Sequence, residues 1–296
     1  MAMELRQLHY FVSVVDAGSF SGGAVALNLA QPSLSRQIAL LESELGQRLL
    51  VRTGRGVSPT EAGQSLLTHA RAMLDIERRA RDELRDMDES PSGRVVVGLP
   101  PRVALGMSAS LIQRFREQFP RAVITVLEGL SVSLRESLIA GRLDMALLFD
   151  PAASPQLSFE PLFREKLLLV APASSRLPAR VGLAALASYP MVLPSAPNAI
   201  RHLLDSALLP RDIQLQVLAE VGAVRTVLDL VAKGVGCTVL PERALNGKGD
   251  EPLQRAPIGP PGIWNSLVLA TPMSRPATRL TRGTALLLRE LDFREL

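Results

Sequence analysis

Residues 58–89 limit what this chain can fold into more than any other stretch. Ser58-Pro59-Thr60-Glu61 has the composition of a capping box, with Ser58 to receive a backbone N–H, Pro59 at the first helical position and Glu61 three residues on. From there Ala62, Leu66, Ala70, Met73, Ile76, Ala80, Leu84 and Met87 recur every three or four residues with charged residues between them, and the pattern stops at Ser90-Pro91-Ser92-Gly93. A helix over 60–89 would be about 45 Å long, so it separates a domain at 1–59 from another at 93–296. Its apolar stripe must be covered, either by its own domain or by a second copy of the helix, and the pattern alone leaves both open.

Ahead of this helix the spacing predicts three shorter ones. The first runs from about Glu4 to Asp16, with Leu5, Leu8, Phe11, Val12 and Val15 on one side, and stops at Ala17-Gly18. Ser19 is the N-cap of a second, Phe20 to about Leu27, with Phe20, Ala24 and Leu27 facing inward. The third opens at Gln31-Pro32, where the missing N–H of proline does no harm. Leu34, Ile38, Leu41 and Leu45 form its core stripe, while Gln31, Ser33, Arg36 and Gln37 occupy the first turn and the opposite face. Two short helices joined by a brief turn, the second polar at its start, make a helix-turn-helix. A helix of about 10–12 Å diameter fits the roughly 12 Å major groove. There Arg36 could reach guanine through its fork, Gln31 or Gln37 could pair with adenine, and Ser33 and Ser35 permit close approach. Any surface helix also has a polar face, and Leu40 sits on this one. The following segment, 47–52, alternates like a strand, Thr53-Gly54-Arg55-Gly56 is a turn, and Val57 begins a return strand. This is a wing, with Arg52 and Arg55 placed to neutralise phosphates.

Charge does not locate a nucleic-acid site by itself. The net +4 divides into +1 over residues 1–59, −3 over 60–89 and +6 over 90–296. Nearly half of the 296 residues are apolar and about a fifth charged, as in a soluble globular chain. No stretch approaches the roughly 18 uninterrupted apolar residues of a membrane helix, and the first twenty residues, broken by Asp16, do not read as a signal peptide. Cys237 is the only cysteine, which excludes an intramolecular disulfide and suits a reducing cytoplasm.

Residues 5–63, LRQLHYFVSVVDAGSFSGGAVALNLAQPSLSRQIALLESELGQRLLVRTGRGVSPTEAG, resemble the DNA-binding domain of the LysR-type transcriptional regulators. The resemblance implies that Gln31, Pro32, Ser33 and Arg36 enter the major groove with Ser35 nearby, and that Arg52 and Arg55 are wing contacts. It also implies that the helix over 60–89 pairs antiparallel with a second copy and sets the spacing of two recognition helices. Gly22-Gly23 departs from the family's small but helix-favouring residues, and two glycines there cost about 1 kcal/mol each relative to alanine.

Beyond Gly93 strands and helices alternate. Segments 94–99, 122–128, 143–149, 167–171, 191–193, 214–220 and 237–240 read as strands, and 103–118, 131–140, 182–187, 198–208, 222–233 and 276–292 as helices. The alternation predicts a mostly parallel, helix-covered sheet with ligands where strand ends meet helix starts. GLPPRVA, FPRAVITVLEG, LIAGRLDMALLFDP, FREKLLLVAP and VAKGVGCTVLPE resemble the effector-binding domain of the same family, in particular the subgroup of nitrogen-assimilation-control and aromatic-sulfonate regulators. The resemblance implies the two-lobed fold of periplasmic solute-binding proteins, with lobes at about 93–161 with 267–296, and 162–266.

The resemblance implies a cleft lined by Pro100, Pro101, Arg102, Val103, Gly129, Ser131, Phe149 and Asp150 on one side. Pro194, Ser195, Asn198 and the Val221-Gly222-Ala223 turn line the other. Arg102 stands where relatives more often carry a small polar residue, and beside Ser131 it would suit a carboxylate, sulfonate or phosphate. Pairing with Asp150 or pointing into water is the plain alternative. Arg201 or His202 could supply a second anchor. His9, His69 and His202 lack metal-ligand spacing, Gly234-Val235-Gly236 lacks the third glycine of a dinucleotide loop, and Cys237 and Trp264 read as packing residues.

The expected architecture is therefore α/β overall: an N-terminal winged helix-turn-helix, a long linker helix and a C-terminal two-lobed effector-binding domain. The expected protein is a cytoplasmic regulator, not an enzyme, with no metal or cofactor. Its expected partners are double-stranded DNA as paired half-sites, a small and anionic effector, and itself, as a dimer through the linker helix and a tetramer through the effector domains. RNA polymerase is a further partner the resemblance implies. The rivals are a regulator with an occluded effector pocket and a solute-binding protein or enzyme on the same two-lobed fold.

Overall fold

The computed structural model describes residues 3–54, 56–85, 91–245 and 253–295. The chain divides into two compact units, Met1–Ser92 with Ala140–Arg142, and Gly93–Ile139 with Leu143–Leu296.

In the first unit, α1 (Leu5–Ala17) ends at Gly18, whose φ of 64° is the left-handed conformation that glycine adopts freely. Ser19 then caps α2 (Phe20–Ala26), its hydroxyl accepting from the Gly22 N–H at 3.0 Å. The two glycines of α2 have a packing role. A Cβ on Gly23 would lie 3.0 Å from Val14 Cα, so the absence of a side chain lets α2 sit directly on the backbone of α1. The third helix, α3 (Gln31–Leu45), buries Leu34, Ile38 and Leu41 against Leu8, Phe11, Val14 and Ala24. Leu45, the last residue of the expected stripe, is instead 39% exposed, because the helix runs past the edge of this core.

The Glu42 carboxylate accepts from the N–H groups of Leu49 and Leu50 at 2.8 and 3.1 Å, turning the chain from α3 into the hairpin of β1 (Leu50–Thr53) and β2 (Gly56–Pro59). The long helix α4 (Glu61–Arg85) follows, but its cap is not Ser58. Ser58 and Pro59 are held in β2 opposite Val51 and Leu50, and it is Thr60 whose hydroxyl accepts from Gly63 N at 3.0 Å. Strand pairing outcompetes the capping box because it holds the backbone extended two residues further. Leu67 and Ala70 of α4 are buried in the core, with Ala62, Leu66 and Met73 packed against it. Ile76 and Leu84, further along the same stripe, are 49% and 66% exposed. Met87 lies outside the described residues.

The second unit contains β3 (Gly93–Leu99), α5 (Pro101–Gln118), β4 (Ala122–Glu128), α6 (Ser131–Ile139), β5 (Met145–Phe149), β6 (Leu157–Ala171), β7 (Pro190–Pro194) and α7 (Ala199–Leu208). They are followed by β8 (Gln216–Val221), α8 (Val224–Ala232), β9 (Thr238–Pro241), β10 (Gln254–Pro257), β11 (Trp264–Pro272) and α9 (Arg279–Arg289). Two of the three buried clusters among its described residues mark two lobes, the third, on Leu138, Leu148 and Ala270, packing α6 against β5 and β11. One lobe is built on Val95, Val97, Leu99, Leu111, Phe115, Leu147, Leu269 and Leu288, the other on Leu167, Leu169, Leu193, Leu204, Val231 and Val239.

The expectation of a mostly parallel sheet is corrected. β3 pairs in parallel with β4 and β5, and β7 with β8, but the long strands β6 and β11 run antiparallel to each other and to β5, β9 and β10. These two strands belong to both lobes. Phe163 packs against the first core and Leu167 lies in the second, so Arg164, Glu165 and Lys166 occupy the crossing, paired with Ser266, Asn265 and Trp264.

A candidate DNA interface and effector cleft

On α3 the side buried against α1 and α2 fixes which residues face outward. Pro32, Ser33, Arg36 and Gln37 are exposed, and Gln31 and Ser35 are half-buried at the edges of the same face. Arg36 makes no hydrogen bond or ion pair with any described residue, so its five donors are available to another molecule. The wing is anchored close by. Val57 N–H donates to the Gly18 carbonyl at 2.8 Å, and a Cβ on Gly56 would come 2.4 Å from that oxygen, so only glycine fits there. Arg52 is exposed, with its guanidinium 6.0 Å from the Phe20 ring. Arg55 lies outside the described residues. Arg48, exposed in the turn after α3, is a cation on this unit that the wing pattern alone did not single out.

In the second unit Arg102 lies in the first turn of α5, beyond the end of β3. Its guanidinium is 5.2 Å from the Phe149 ring at the end of β5 and forms a two-pronged ion pair with Glu165 at the strand crossing, Nη1 to Oε2 at 3.2 Å and Nη2 to Oε1. Glu165 is only 7% exposed and also accepts from Asn265 Nδ2 at 3.1 Å. Arg102 is thus paired with a carboxylate 63 residues away rather than with Asp150. Ser131 Oγ accepts from Phe149 N–H at 2.9 Å, holding the start of α6 against the end of β5. Asp150, at a left-handed φ of 41°, accepts from Ser266 N–H at 3.0 Å. Burial pushes its carboxyl above the ordinary range, while the Ser266 N–H and the charges of Arg164 and His202 pull the other way.

Of the other residues expected at the cleft, Val103 and Pro194 are buried and contribute packing, and Val103 belongs wholly to the core of its lobe. Pro101 is exposed, and Gly129 N–H donates to the Leu99 carbonyl at 3.3 Å. On the second lobe Ser195, Asn198 and Gly222 do come together. Ser195 N–H donates to Val221 O at 3.0 Å, Asn198 N–H donates to Ser195 O at 3.1 Å, and a Cβ on Gly222 would lie 3.9 Å from Ser195 Oγ. Asn198 caps α7, its Oδ1 accepting from Ile200 N–H at 2.9 Å. Arg201 is not a free anchor: it is held by both oxygens of Asp205 at 3.0 Å and by Glu220, whose hydrogen bond is the chief reason its pKa is raised. Trp264 is flanked by Arg164 and Lys166, 4.5 and 4.9 Å from its ring. Cys237 is buried in the second core, and burial raises its thiol pKa. Among the described residues no cluster of His, Cys, Asp or Glu could hold a metal, and no helix is long and apolar enough to cross a membrane.

Sequence profiles match both units. One described as "LysR substrate binding domain" covers residues 88–291, and one described as "Bacterial regulatory helix-turn-helix protein, lysR family" covers residues 5–64. The chain belongs to the LysR family. It is 37% identical over 247 residues to the nitrogen assimilation regulatory protein nac of Klebsiella aerogenes, an alignment spanning 82% of this chain and 79% of that protein. The same fold occurs in a full-length OxyR variant of Pseudomonas aeruginosa, with a TM-score of 0.78, 22% identity and coverage of 98% and 99% of the two chains. It occurs also in full-length CbnR complexed with its target DNA, with a TM-score of 0.65, 22% identity and coverage of 97% and 99%. This LysR-family chain is a DNA-binding transcriptional regulator with an N-terminal winged helix-turn-helix, a linker helix and a C-terminal two-lobed α/β effector-binding domain.

Sequence reasoning missed Glu165 as the partner of Arg102, and Asn265 as the partner of Glu165. The signal available was the acid inside Arg164-Glu165-Lys166 and the amide Asn265, each next to an apolar run, LLLV and SLVLA, where a buried polar group needs a partner.

Proposed function

We propose that this regulator reads paired DNA half-sites as a self-associated assembly and alters the spacing or bend of the bound DNA when a small anionic effector enters the cleft of its second unit. The observation that carries the DNA reading is the first two turns of α3, where Ser33, Arg36 and Gln37 are exposed on a helix whose other side is locked into the core. Gln31, Pro32, Ser35 and the wing residue Arg52 support the same interface, and Arg55 joins it by its place in the sequence.

Self-association is supported by the bare part of the α4 stripe, where Ile76 and Leu84 need a cover that a second α4 supplies. A tetramer through the effector domains is supported by apolar side chains exposed on α5, β4 and β8, namely Leu105, Ile112, Val123, Leu127, Val217 and Leu218. A regulator of this kind works in the cytoplasm beside RNA polymerase. The identity to nac supports kinship with regulators of nitrogen assimilation. For the effector, support comes from Arg102 at the start of α5 with Ser131 and the helix N-terminal N–H groups nearby. DNase footprinting over the DNA flanking the gene, with the assembly state measured by sedimentation, tests the proposal. Two protected half-sites are expected, and failure to protect any genomic fragment rejects it.

One observation favours a second reading, a regulator set by its own abundance with no effector: the Arg102 guanidinium already has a carboxylate partner. Calorimetry against small aromatic carboxylates and sulfonates separates the two. Heat that vanishes in Arg102→Ala supports the effector reading, and uniform silence supports its rival.

A further inference from the structure

We propose that the effector is a zwitterion of the α-amino-acid class, whose carboxylate and ammonium take over the two halves of the Arg102–Glu165 ion pair. This rests on the effector cleft proposed above and revises its ligand from a simple anion to one whose carboxylate is balanced by its own ammonium.

Three observations carry it. The guanidinium and the carboxylate are joined through both prongs, and Glu165 is nearly buried while Arg102 keeps 21% of its side chain exposed, so a ligand reaches the pair from the Arg102 side. Asn265, which donates to Glu165, is 2% exposed, and its own Oδ1 is buried without a donor among the described residues. Buried amide oxygens are rarely left unused. Phe149 closes one face of the guanidinium, leaving its donor edge as the recognition surface.

The charges decide among ligand classes. A simple anion must take Arg102 from Glu165, and success strands a buried carboxylate next to an unsatisfied amide oxygen, a penalty of about a hundredfold or more in affinity. A simple cation pairs with Glu165 and strands the guanidinium. A ligand with both charges strands neither. Its carboxylate receives the Arg102 fork, and its ammonium, with three donors, serves Glu165 and also the idle Asn265 Oδ1. Because Arg102 and Glu165 are in direct contact, the two ligand charges must sit on neighbouring atoms of one small skeleton, as they do in an α-amino acid. The other groups nearby are occupied: Asp150 by Ser266 N–H, and Arg164 and Lys166 against Trp264.

The test is isothermal titration of the full-length protein with each proteinogenic L-α-amino acid. Every binder is then compared with its deaminated acid, its N-acetyl derivative and its decarboxylated amine. The expected result is an amino acid that binds, with each derivative weaker by more than about tenfold, or about 1.4 kcal/mol. Glu165→Gln keeps the shape and removes the charge, and should erase the preference of the amino acid over its deaminated acid. Asn265→Ala, which leaves both charges in place, should weaken the amino acid by about tenfold and leave the deaminated acid unchanged, giving a reading even if Glu165→Gln does not fold. A deaminated acid that binds as well as its parent, or a preference that survives Glu165→Gln, overturns the zwitterion while the anionic-effector cleft stands. Silence from all amino acids but heat from a carboxylate or sulfonate does the same. Silence from all of them removes both.

Discussion

Arg102 in the first turn of α5 and Glu165 at the strand crossing grip each other through two hydrogen bonds, although 63 residues separate them. The buried partner is the carboxylate, so removing the guanidinium leaves an uncompensated charge. Arg102→Met is expected to destabilise the second unit by about 3–5 kcal/mol, and Arg102→Met with Glu165→Gln to recover most of that loss. Urea unfolding of the two variants checks this. Equal losses in single and double variants would mean that the pair is not the source.

Arg36 is exposed and unpaired among the described residues on the first turns of α3. Arg36→Ala is expected to weaken specific DNA binding by about 1–3 kcal/mol and to relax preference at a single base pair. Fluorescence anisotropy at constant salt measures both effects, and an unchanged footprint and affinity would remove Arg36 from the readout.

Gly23→Ala sets helix propensity against space. Alanine gains about 1 kcal/mol in a helix interior, but its Cβ would press 3.0 Å from Val14 Cα and 3.2 Å from Val14 N, backbone atoms of α1 with no rotamer to yield. Overpacking of this kind costs about 1–3 kcal/mol. The expected outcome is therefore a net loss of about 1 kcal/mol in thermal or chemical denaturation, and a stabilised variant would show that α2 can lift off α1.

Leu84 is 66% exposed, so Leu84→Asp leaves the monomer's core untouched. If a second α4 covers it, each copy loses the burial of one leucine, about 1.5–3 kcal/mol. Sedimentation should then show dissociation at concentrations where the parent is assembled, with an unaltered circular dichroism spectrum.

Burial raises the pKa of Asp150, so the folded chain holds that proton more tightly than the unfolded chain does. Its contribution to stability is then favourable in acid and is lost as pH rises through the raised folded value. Asp150→Asn retains an acceptor for Ser266 N–H and suits a left-handed φ. It should raise the melting temperature near neutrality and flatten its fall between acid and neutral pH. A steeper profile would contradict this.

Local periodicity was enough to read α1, α2 and α3, because Leu34, Ile38 and Leu41 repeat at the period of a helix and find a core. Periodicity does not say where the neighbouring helices end, which is why Leu45 was assigned inward and lies exposed. At the start of α4 Ser58 and Thr60 are both competent caps, and the choice fell to a strand pairing invisible in either residue. In the second unit β6 was read only over its apolar end, since SFEPLFRE alternates with too many polar side chains. β10 and β11 were not read at all, so the antiparallel share of the sheet went unseen. The place of Arg102 at a helix start after a strand was legible, whereas its partner depends on a chain crossing that no local pattern encodes.

Thr60 has a further effect through its position. Its hydroxyl receives Gly63 N–H and donates to the Arg48 carbonyl at 2.6 Å, its N–H donates to Leu49 O at 2.9 Å, and a Cβ on Gly63 would come 2.0 Å from that same oxygen. The base of the hairpin and the first turn of the long helix are therefore welded at one joint with no slack. A substitution that removes the Thr60 hydroxyl would therefore release the wing and the start of α4 together.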